Sequence, residues 1–375
     1  MIRRLTVIAW KELLQLRRDR LTLAMMVALP LLQLLLFGFA VNTDVRHIPT
    51  VVFDEDRTAQ SRDLARSMEA TGYFDIVGRV TGYVEIDRAL RAGAAGAALV
   101  VPPDYASDIE SGRTARVQLV LDGSDPQVVG SASGAATSLV SARAARLLVQ
   151  RLARAGTGSP PAPLDLVQSV LYNPEQRTAV NVVPGLVGVI LTLTMVMLTS
   201  MALARERERG TLEQLIVSPV KTVEIIVGKI VPYIAIGYVQ MALILTAGRL
   251  VFGVPIAGSV PLLFTLAFVF ISANLAVGIF FSTLAKTQQQ AMQMSIFFIL
   301  PNILLSGFVF PFDAMPLLAR VLAQALPLTH FIRVVRGIAL KASVFHDLAG
   351  ELVWMTAILV ALVVVSSLRF RKKLV

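Results

Sequence analysis

Residue types that carry out catalysis are scarce in this chain, and their spacing does not form a catalytic site. The chain has no cysteine, which excludes disulfides, thiolate metal sites and thiol catalysis. Its three histidines, His47, His330 and His346, are too widely separated for the spacing of a metal site. Ser218 and Lys221 match a Ser-x-x-Lys pattern, but four-residue patterns recur by chance and no supporting triad accompanies this one. We therefore predict no catalytic residues and no metal ligands in the chain.

Nucleotide-binding and calcium-binding patterns are also absent from the sequence. No Gly-x-x-x-x-Gly-Lys-Ser/Thr loop is present, so we do not expect the chain itself to hold the phosphates of ATP. Asp54, Glu55 and Asp56 lack the later ligands of a calcium loop, and we predict that they cap a helix instead. The chain is therefore not expected to be an enzyme.

Composition indicates that lipid surrounds much of the chain. Of its 375 residues, 55% are hydrophobic and 16% are charged, whereas soluble domains have about a quarter charged residues. Six apolar stretches are long enough to cross about 30 Å of hydrocarbon. They lie at approximately Leu21–Val41, Val180–Ala204, Ile230–Gly248, Val260–Leu284, Ala291–Phe310 and Leu352–Leu368. None contains Asp, Glu, Lys, Arg or His, which weighs against a proton-coupled secondary transporter.

The formal charge of +10 is unevenly distributed along the chain. Residues 42–178 hold 14 arginines and 16 acidic residues, so the basic excess lies beside the apolar stretches. This distribution indicates the positive-inside rule rather than nucleic-acid binding. The basic residues before the first stretch and after the second, fourth and sixth share one face if both termini are cytoplasmic. The segment between the fifth and sixth stretches is discordant, since it contains Arg320, Arg333, Arg336 and Lys341.

The polar insert between the first two apolar stretches is large enough for one domain. Its strand and helix patterns alternate, which predicts a small α/β domain on the extracytoplasmic side. The predicted strands are Thr50–Phe53, Phe74–Val80, Gly96–Val101 and Arg116–Leu121. The predicted helices are one that ends at Thr71, and those at Tyr83–Ala92, Tyr105–Gly112 and Pro126–Ala155. A flexible linker is predicted at Gly156–Pro163.

A charged segment interrupts the apolar pattern after the second stretch. It runs from Arg205 to Tyr233 and reads RERERGTLEQLIVSPVKTVEIIVGKIVPY. Leu212, Leu215 and Ile216 form one apolar stripe, and Pro219 ends the turn because the residue before a proline avoids the α region. The pattern predicts a short helix that lies flat at the cytoplasmic interface, with a polar face free to bind a soluble partner. A solvated membrane edge without further structure is the alternative.

Residues 1–20 have a similar amphipathic pattern, with apolar residues on one side and several basic residues. We predict a surface helix that contacts a partner, and a simple positive-inside anchor is the alternative. A cleaved signal peptide is disfavoured, because the apolar region that follows is longer than the usual 7–15 residues of a signal sequence.

The segment before the last apolar stretch contains three prolines, Pro311, Pro316 and Pro327, which preclude one unbroken span. Its amphipathic pieces of about ten residues predict short re-entrant or interfacial helices. Irregular backbone of this kind is tolerated at membrane depth where it faces protein or water. We therefore expect Arg333 and Arg336 to face water. An ordinary extracytoplasmic loop is the alternative.

Two of these segments resemble motifs of a known family. The charged segment from Arg205 to Tyr233 is similar to the region after the second span in ABC-2 type permeases, the membrane subunits of one class of ATP-binding cassette exporters. The segment from Leu305 to Ile338 resembles the re-entrant region of the family before its last span; it reads LSGFVFPFDAMPLLARVLAQALPLTHFIRVVRGI. WKELLQLRRDR near the N-terminus, the six spans and the large insert are also typical of the family. The resemblance covers essentially the whole chain.

The resemblance implies an α-helical integral membrane protein with six transmembrane helices and an inserted extracytoplasmic α/β domain. It also implies an N-terminal amphipathic helix and a re-entrant hairpin before the last span. The implied divisions are a connecting helix at 1–20, transmembrane helix 1 at 21–41, the extracytoplasmic domain at 42–178 and transmembrane helices 2–6 at 179–375. Within the last division, a coupling helix would lie at about 205–221 and the re-entrant segment at about 311–340.

The resemblance further implies a contact with a separate nucleotide-binding subunit. The residues that correspond to the coupling helix are Arg207, Gly210, Thr211, Glu213, Gln214, Ser218 and Pro219. ATP and magnesium would be bound by that ATPase subunit, and this chain would hold no cofactor. A second permease subunit, identical or homologous, would pair with this one in the bacterial inner membrane, with both termini cytoplasmic. A periplasmic adaptor is a further possible partner.

The implied function is export of a hydrophobic or amphipathic substrate, either drug-like or lipid-like, with energy from ATP hydrolysis in the partner. The large insert is similar to those of drug-type and lipid-type exporters, and polysaccharide-type exporters of the family generally lack it. The resemblance therefore favours a drug-type or lipid-type exporter over a polysaccharide-type one. From another class, the alternative is a membrane-anchored sensor or assembly protein whose insert binds an extracytoplasmic ligand.

Overall fold

The computed structural model describes residues 45–155, 162–208 and 222–369. Several of the segments named above lie outside these residues. They are the predicted connecting helix at 1–20, the predicted first span at Leu21–Val41, most of the predicted linker at Gly156–Pro163 and nearly all of the predicted coupling helix.

The first described region is a five-stranded sheet with helices on both faces, which we call the sheet domain. Its elements are β1 (Ile48–Asp54), α1 (Ala59–Glu69), β2 (Phe74–Arg79), α2 (Tyr83–Arg91), β3 (Ala97–Val101), α3 (Tyr105–Glu110), β4 (Ala115–Asp122), α4 (Pro126–Ala155) and β5 (Leu164–Leu171). The strand order is β2-β1-β3-β4-β5. Strands β3 and β4 are antiparallel, and the other neighbours are parallel. The prediction of an α/β domain is confirmed.

Strand β3 shows why the sheet carries helices on both faces. Its sequence, AALVV, is buried at every position. Leu99 packs in the apolar core beneath α1 and α4, whereas Val100 packs against α2, together with Ile86 and Leu90. A strand that is covered on both sides is expected to be an unbroken apolar run rather than an alternating one.

Two features of the sheet domain differ from the sequence prediction. Thr58, not the acidic cluster, caps α1, because its hydroxyl oxygen accepts a hydrogen bond from the backbone N–H of Ser61 at 3.2 Å. Asp54 instead holds the preceding turn by accepting from the backbone N–H of Arg57 at 2.9 Å. Strand β5 was not predicted, although it pairs with β4 along its full length.

The second described region is a helical bundle. Its helices are α5 (Thr178–Glu208), α6 (Thr222–Phe252), α7 (Val260–Leu284), α8 (Gln288–Leu305), α9 (Leu317–Gln324), α10 (Pro327–Lys341) and α11 (Phe345–Arg369), and a single 3₁₀ turn at Phe312–Ala314 precedes α9. Among the described residues, four helices are long and apolar enough to cross a membrane. These are α5 over Thr178–Glu206, α6 over Pro232–Phe252, the whole of α7, and α11 over Phe345–Ser366.

These four helices correspond to the second, third, fourth and sixth predicted spans. The fifth, predicted at Ala291–Phe310, corresponds to α8, which has 18 residues, ends at Leu305 and is not one of the four. Helices α9 and α10 are bent by 81° relative to each other, and counting this pair as one span gives five. The count of six spans therefore stays a prediction.

The bundle core is formed by apolar side chains of α5, α6, α7, α10 and α11. At its centre, the rings of Phe270 on α7 and Phe331 on α10 stack with their centroids 3.9 Å apart. Helices α5 and α7 approach closely at Gly278, where an added Cβ would lie 2.8 Å from the carbonyl oxygen of Val196. Small residues permit this close approach of helices in membranes.

The two ends of the bundle are distinguished by their neighbours. At the end that adjoins the sheet domain, Arg177 donates a hydrogen bond to the carbonyl oxygen of Phe252 at 2.7 Å. At the opposite end, Gln288 accepts from Arg205 at 3.1 Å and donates to Glu208 at 2.8 Å. We call these the sheet end and the far end. Helices α5 and α6 are therefore antiparallel, and the turn between α7 and α8 lies at the far end.

Candidate functional site at the junction of the sheet domain and the helices

Most of the residues matched to the coupling helix lie outside the described part of the chain. Of these residues, only the backbone of Arg207 is described, in the last turn of α5. Those outside are Gly210, Thr211, Glu213, Gln214, Ser218 and Pro219. The flanking helices α5 and α6 are antiparallel, so the C-terminus of α5 and the N-terminus of α6 both lie at the far end.

The three prolines of the predicted re-entrant segment each lie at the start of a helical element. Pro311 precedes the 3₁₀ turn, Pro316 is the N-cap of α9, and Pro327 is the first residue of α10. A proline is tolerated at a helix start because the N–H that it lacks would have no partner within the helix. The segment is accordingly divided into separate helical pieces, and its re-entrant course stays a prediction.

Helix α10 carries polar residues that pair with α11 at the sheet end. The side chain of His330 is fully buried, and its Nδ1 lies 2.5 Å from Oε2 of Glu351. Arg333 donates to the other carboxylate oxygen of Glu351 at 3.1 Å. The His330 ring is also stacked on Trp354, with centroids 5.8 Å apart. We call His330, Arg333 and Glu351 the α10–α11 cluster.

The hydrogen bonds of His330 fix where its ring carries hydrogen. Nε2 lies 2.9 Å from the carbonyl oxygen of Gln324. Because a carbonyl oxygen can only accept, Nε2 must carry the hydrogen of that bond, and Nδ1 is hydrogen-bonded to the carboxylate of Glu351. Both ring nitrogens are therefore used, and the cluster joins α9, α10 and α11.

Sequence reasoning missed this cluster because it placed the start of the sixth span too late. It began the span at Leu352, whereas α11 starts at Phe345 and the part long enough to span includes His346, Asp347 and Glu351. The prediction that the spans contain no acidic residue and no histidine is wrong for this helix. The spacing of His330, Arg333 and Arg336 at every third residue on an amphipathic helix was the available signal.

A second set of contacts joins α10 to the sheet domain. Lys341, the last residue of α10, forms an ion pair with Asp122 at the end of β4 and donates to the carbonyl oxygen of Leu90 at 3.1 Å. The two charged side chains are only 10% and 11% exposed. Ser343 donates to the carbonyl oxygen of Arg91 at 3.2 Å. These contacts fix the start of the α10–α11 connection against the C-terminal end of α2.

Tyr172 lies beside this ion pair, on the strand-to-helix connection between β5 and α5. The Lys341 ammonium is 5.8 Å from the centroid of its ring, and its hydroxyl donates to Asp87 at 3.2 Å. Burial is the main reason that the pKa of the Tyr172 hydroxyl is raised, and the nearby carboxylates of Asp87 and Asp122 add to the effect. The hydroxyl therefore stays neutral and serves as a hydrogen-bond donor.

A cavity of about 390 Å³ lies between the sheet domain and the α10–α11 cluster. Its charged lining includes Arg333, Arg336 and Lys341 from the helices, and Asp122 and Asp125 from the sheet domain. Arg333 is one-third exposed and paired with Glu351. Arg336 makes one long hydrogen bond, from Nη1 to the carbonyl oxygen of Gly307 at 3.4 Å, and its Nε is buried without an acceptor among the described residues.

The junction brings charged side chains together around a cavity, an arrangement that can bind and position a polar group. Within residues 45–155, 162–208 and 222–369, no three His, Cys, Asp or Glu side chains are grouped as metal ligands would be. The carboxylates at the junction are engaged by lysine, arginine, histidine or backbone N–H groups. The arrangement places charged side chains around a cavity between the sheet domain and the apolar helices.

Comparison with known proteins agrees with this architecture. The family model described as "ABC-2 family transporter protein" matches residues 20–368. The chain is 32% identical over 355 residues to "Probable multidrug ABC transporter permease YbhR" of Escherichia coli (strain K12), covering 94% of this chain and 93% of that protein. It is 28% identical over 376 residues to "Probable multidrug ABC transporter permease YbhS" of the same strain, covering 99% and 98%.

A third relative is less completely covered. The chain is 29% identical over 292 residues to "Inner membrane transport permease YhhJ" of Escherichia coli (strain K12), covering 77% of this chain and 76% of that protein. The family match extends over nearly the whole chain, and the helices long enough to cross a membrane lie within it. The chain is therefore a permease subunit that belongs to the ABC-2 family of transporter proteins.

Proposed function

We propose that this chain is the permease subunit of an exporter that moves a hydrophobic or amphipathic substrate, drug-like or lipid-like, out of the cell. The observation that carries the proposal is the family match over residues 20–368. Family membership implies a partnership with an ABC ATPase subunit, and two relatives of matching length are named as probable multidrug permeases. ATP hydrolysis takes place in that separate subunit, which binds ATP and magnesium, since the sequence has no phosphate-binding loop.

The fold that we propose has six transmembrane helices in the bacterial inner membrane, with both termini cytoplasmic and the sheet domain outside the cytoplasm. Its divisions are a connecting helix at 1–20, the first span at 21–41, the inserted domain at 42–178 and the remaining spans at 179–375. Arg205 and Lys286 support this orientation, because both belong to the far end and would be cytoplasmic.

Two of the four basic residues in the segment before the last span do not oppose this orientation. Arg333 and Lys341 lie within α10 rather than in a free loop, and each is paired with a carboxylate of this chain. The positive-inside rule concerns basic residues in short loops beside the spans. Cations that the fold holds in ion pairs are accounted for by those pairs, so they carry little information about orientation.

The coupling helix that we propose at about 205–221 receives motion from the ATPase subunit. Its contact residues would be Arg207, Gly210, Thr211, Glu213, Gln214, Ser218 and Pro219. The continuity of α5 supports this role, since it extends from the far end to the sheet end and packs against α10. An added Cβ at Gly188 of α5 would lie 2.7 Å from Leu328 and 3.1 Å from Phe331. A shift of α5 would therefore displace α10 directly.

The re-entrant segment that we propose at about 311–340 closes the outer side of the pathway. Helix α9 supports this position, because Leu317, Leu318, Val321 and Leu322 are all exposed and form an apolar face. A short helix with such a face fits the membrane interface. Pro311, Pro316 and Pro327 separate the helical pieces, and Arg333 and Arg336 face the junction cavity.

The complete transporter that we propose contains two permease chains, identical or homologous, and two ATPase subunits. Exposed apolar residues on α6 and α11 suit contact with lipid or with the second permease chain; they include Val239, Leu243, Val353, Val360 and Val364. A periplasmic adaptor remains a possible partner of the sheet domain. Family membership removes the reasons to favour a membrane-anchored sensor or an ion-coupled secondary transporter.

The coupling proposal is tested with the full chain purified together with its ATPase subunit. Glu213→Arg reverses a charge on the proposed contact face, and Gly210→Pro breaks the helix. We expect each change to reduce copurification of the ATPase and substrate-stimulated ATP hydrolysis by about tenfold or more. Glu69→Arg is the matched control, because it makes the same charge change on an exposed position of the sheet domain.

Unchanged partner binding and unchanged hydrolysis in both Glu213→Arg and Gly210→Pro would overturn the coupling proposal. Loss of both activities in Glu69→Arg as well would show that the effect does not belong to the proposed contact face.

A further inference from the structure

We propose that the junction cavity is a binding site for a phosphate or other oxyanion group, and that Arg336 binds it. The site lies at the sheet end, so a ligand would reach it from the side of the membrane that the sheet domain occupies. This inference does not depend on the ATPase subunit or on the direction of transport.

The carboxylates that line the cavity already have donors. Asp122 accepts from Lys341 and from the backbone N–H of Ser124 at 3.0 Å. Glu351 is hydrogen-bonded to Nδ1 of His330 and accepts from Arg333. Two further lining carboxylates cap helices: Asp125 accepts from the backbone N–H groups of Gln127 and Val128, and Asp347 accepts from that of Val344 at 3.1 Å. None of the four needs Arg336 as a partner.

The other cations of the cavity lining form ion pairs with carboxylates, and Arg336 does not, although the charges of Asp125 and Asp122 act on it from beyond ion-pair distance. Arg333 is paired with Glu351, Lys341 with Asp122, and Arg91 with Asp87 at 2.9 Å. Within the described part of the chain, no carboxylate lies within ion-pair distance of Arg336. Its Nε is buried and unpaired, and its one hydrogen bond, to Gly307, is long.

An arginine in this state is suited to bind an anion. A buried N–H without an acceptor is costly, and that cost is removed when a ligand supplies the acceptor. The guanidinium group is planar and presents parallel N–H groups that match the two oxygens of a phosphate or carboxylate. Arg336 has Nε and one or more further N–H groups free for such a pair.

The size and lining of the cavity suit an anion attached to a small apolar group. Its volume of about 390 Å³ falls at the lower end of the usual range for small-molecule sites, about 300–1,000 Å³. Apolar side chains from both regions line it, including Ile48 and Val128 from the sheet domain and Phe312, Ile332 and Leu348 from the helices. Asp125 and Asp122 repel an anion electrostatically, so removal of one of these negative charges should strengthen anion binding.

The experiment uses the full chain purified in a non-ionic maltoside detergent. Hexyl phosphate, inorganic phosphate and hexanol are titrated by calorimetry. We expect saturable binding of hexyl phosphate, and none of hexanol. Arg336→Gln should weaken that binding by about tenfold or more, since a charge-assisted pair is lost. The affinity of Arg336→Lys for hexyl phosphate should lie between those of the wild type and Arg336→Gln. Arg88→Gln, an exposed arginine outside the cavity, is the matched control and should bind as the wild type does.

Asp125→Asn supplies a variant in which Arg336 is kept. Asparagine preserves the helix cap, since it is as good an N-cap as aspartate, but it removes a negative charge from the cavity. We expect Asp125→Asn to bind hexyl phosphate several-fold more tightly. This prediction holds even if Arg336→Gln fails to fold, which thermal unfolding of each variant would reveal.

The two phosphate probes distinguish the source of the group. Equal binding of inorganic phosphate indicates a free anion as the ligand, and preference for hexyl phosphate indicates an anionic headgroup on an apolar chain. Both results support an oxyanion site. The proposal is overturned if Arg336→Gln folds and binds hexyl phosphate as tightly as the wild type, if Asp125→Asn weakens binding, or if the wild type binds neither phosphate, in which case the cavity holds water only.

Discussion

At the sheet end of the bundle, Lys341 and Arg333 are paired with carboxylates of the same chain; the Lys341 side chain is nearly buried, and that of Arg333 is about one-third exposed. At the far end, Arg205 and Glu208 are exposed, and both contact the amide group of Gln288. The same residue types thus have fixed ionic partners at one end and weakly held polar contacts at the other.

The paired charges of the sheet end stabilise the fold, whereas Arg205 and Glu208 at the far end are exposed to solvent. The ion pairs at the sheet end fix the sheet domain to α10 and α10 to α11. At the far end Arg205 and Glu208 are exposed and contact an amide group, and exposed polar contacts of that kind stabilise a protein only slightly. Binding of a protein partner is therefore expected at the far end, and a structural role is expected for the paired charges at the sheet end.

The largest expected difference between the ends is in stability. Glu351→Ala leaves His330 and Arg333 without their shared acceptor, and we expect it to lower the free energy of unfolding by about 2–4 kcal/mol. Glu208→Ala makes the same change at the far end, on an exposed side chain, and should cost less than about 0.5 kcal/mol. Thermal and denaturant unfolding of the two purified variants would compare them. Equal stability of the two would contradict a structural role for the α10–α11 cluster.

The ion pair between Lys341 and Asp122 should show a measurable coupling. Lys341→Met, Asp122→Asn and the double variant form a cycle, and we expect a coupling energy of about 1–3 kcal/mol because both side chains are shielded from solvent. The exposed pair of Arg66 and Asp63, 3.8 Å apart, is the control and should give less than about 0.5 kcal/mol.

If the two cycles gave the same small coupling, the Lys341–Asp122 pair would not fix the sheet domain to the bundle. Hydrogen exchange at the C-terminal end of α2 would then be unchanged in Lys341→Met, whereas our account predicts faster exchange there.

The smallest expected effects are local and compare two helix caps. Thr58 caps α1 in the sheet domain, and Thr287 caps α8 at the far end by accepting from the backbone N–H of Gln290 at 3.2 Å. Replacement of either threonine by alanine should cost about 1 kcal/mol. Faster hydrogen exchange should be confined to the first turn of the helix concerned. Exchange that spread across the junction in Thr58→Ala would show that the two regions are not separately stabilised.

The sheet domain was largely predictable from sequence because its signals are local. Strand β3 is a short apolar run ended by Pro102 and Pro103, and α4 begins at the predicted residue, Pro126. The sequence pattern does not predict strand β5, because Asp165, Gln168 and Ser169 interrupt its apolar residues. The position of β5 is fixed by its pairing with β4 rather than by its own sequence. The antiparallel direction of β3 and β4 is likewise a property of the assembled sheet.

The junction was less predictable, since its residues come from segments far apart in sequence. Nothing local connects Lys341 with Asp122, or Arg336 with a cavity that the sheet domain covers on one side. The spacing of His330, Arg333 and Arg336 indicated a polar face on α10, but Glu351, the partner of His330 and Arg333, lies just before the predicted start of the span. The roles of the proposed coupling residues stay predictions.

The most direct test of the account is labelling of Glu213→Cys with a membrane-impermeant maleimide, which is clean because the chain has no native cysteine. Glu69→Cys on the sheet domain serves as the control for the opposite side. We predict that Glu213→Cys is labelled only from the cytoplasmic side and is protected when the ATPase subunit is bound, whereas Glu69→Cys is labelled only from outside. Labelling of Glu213→Cys from outside, or equal labelling with and without the ATPase, would contradict the central claim.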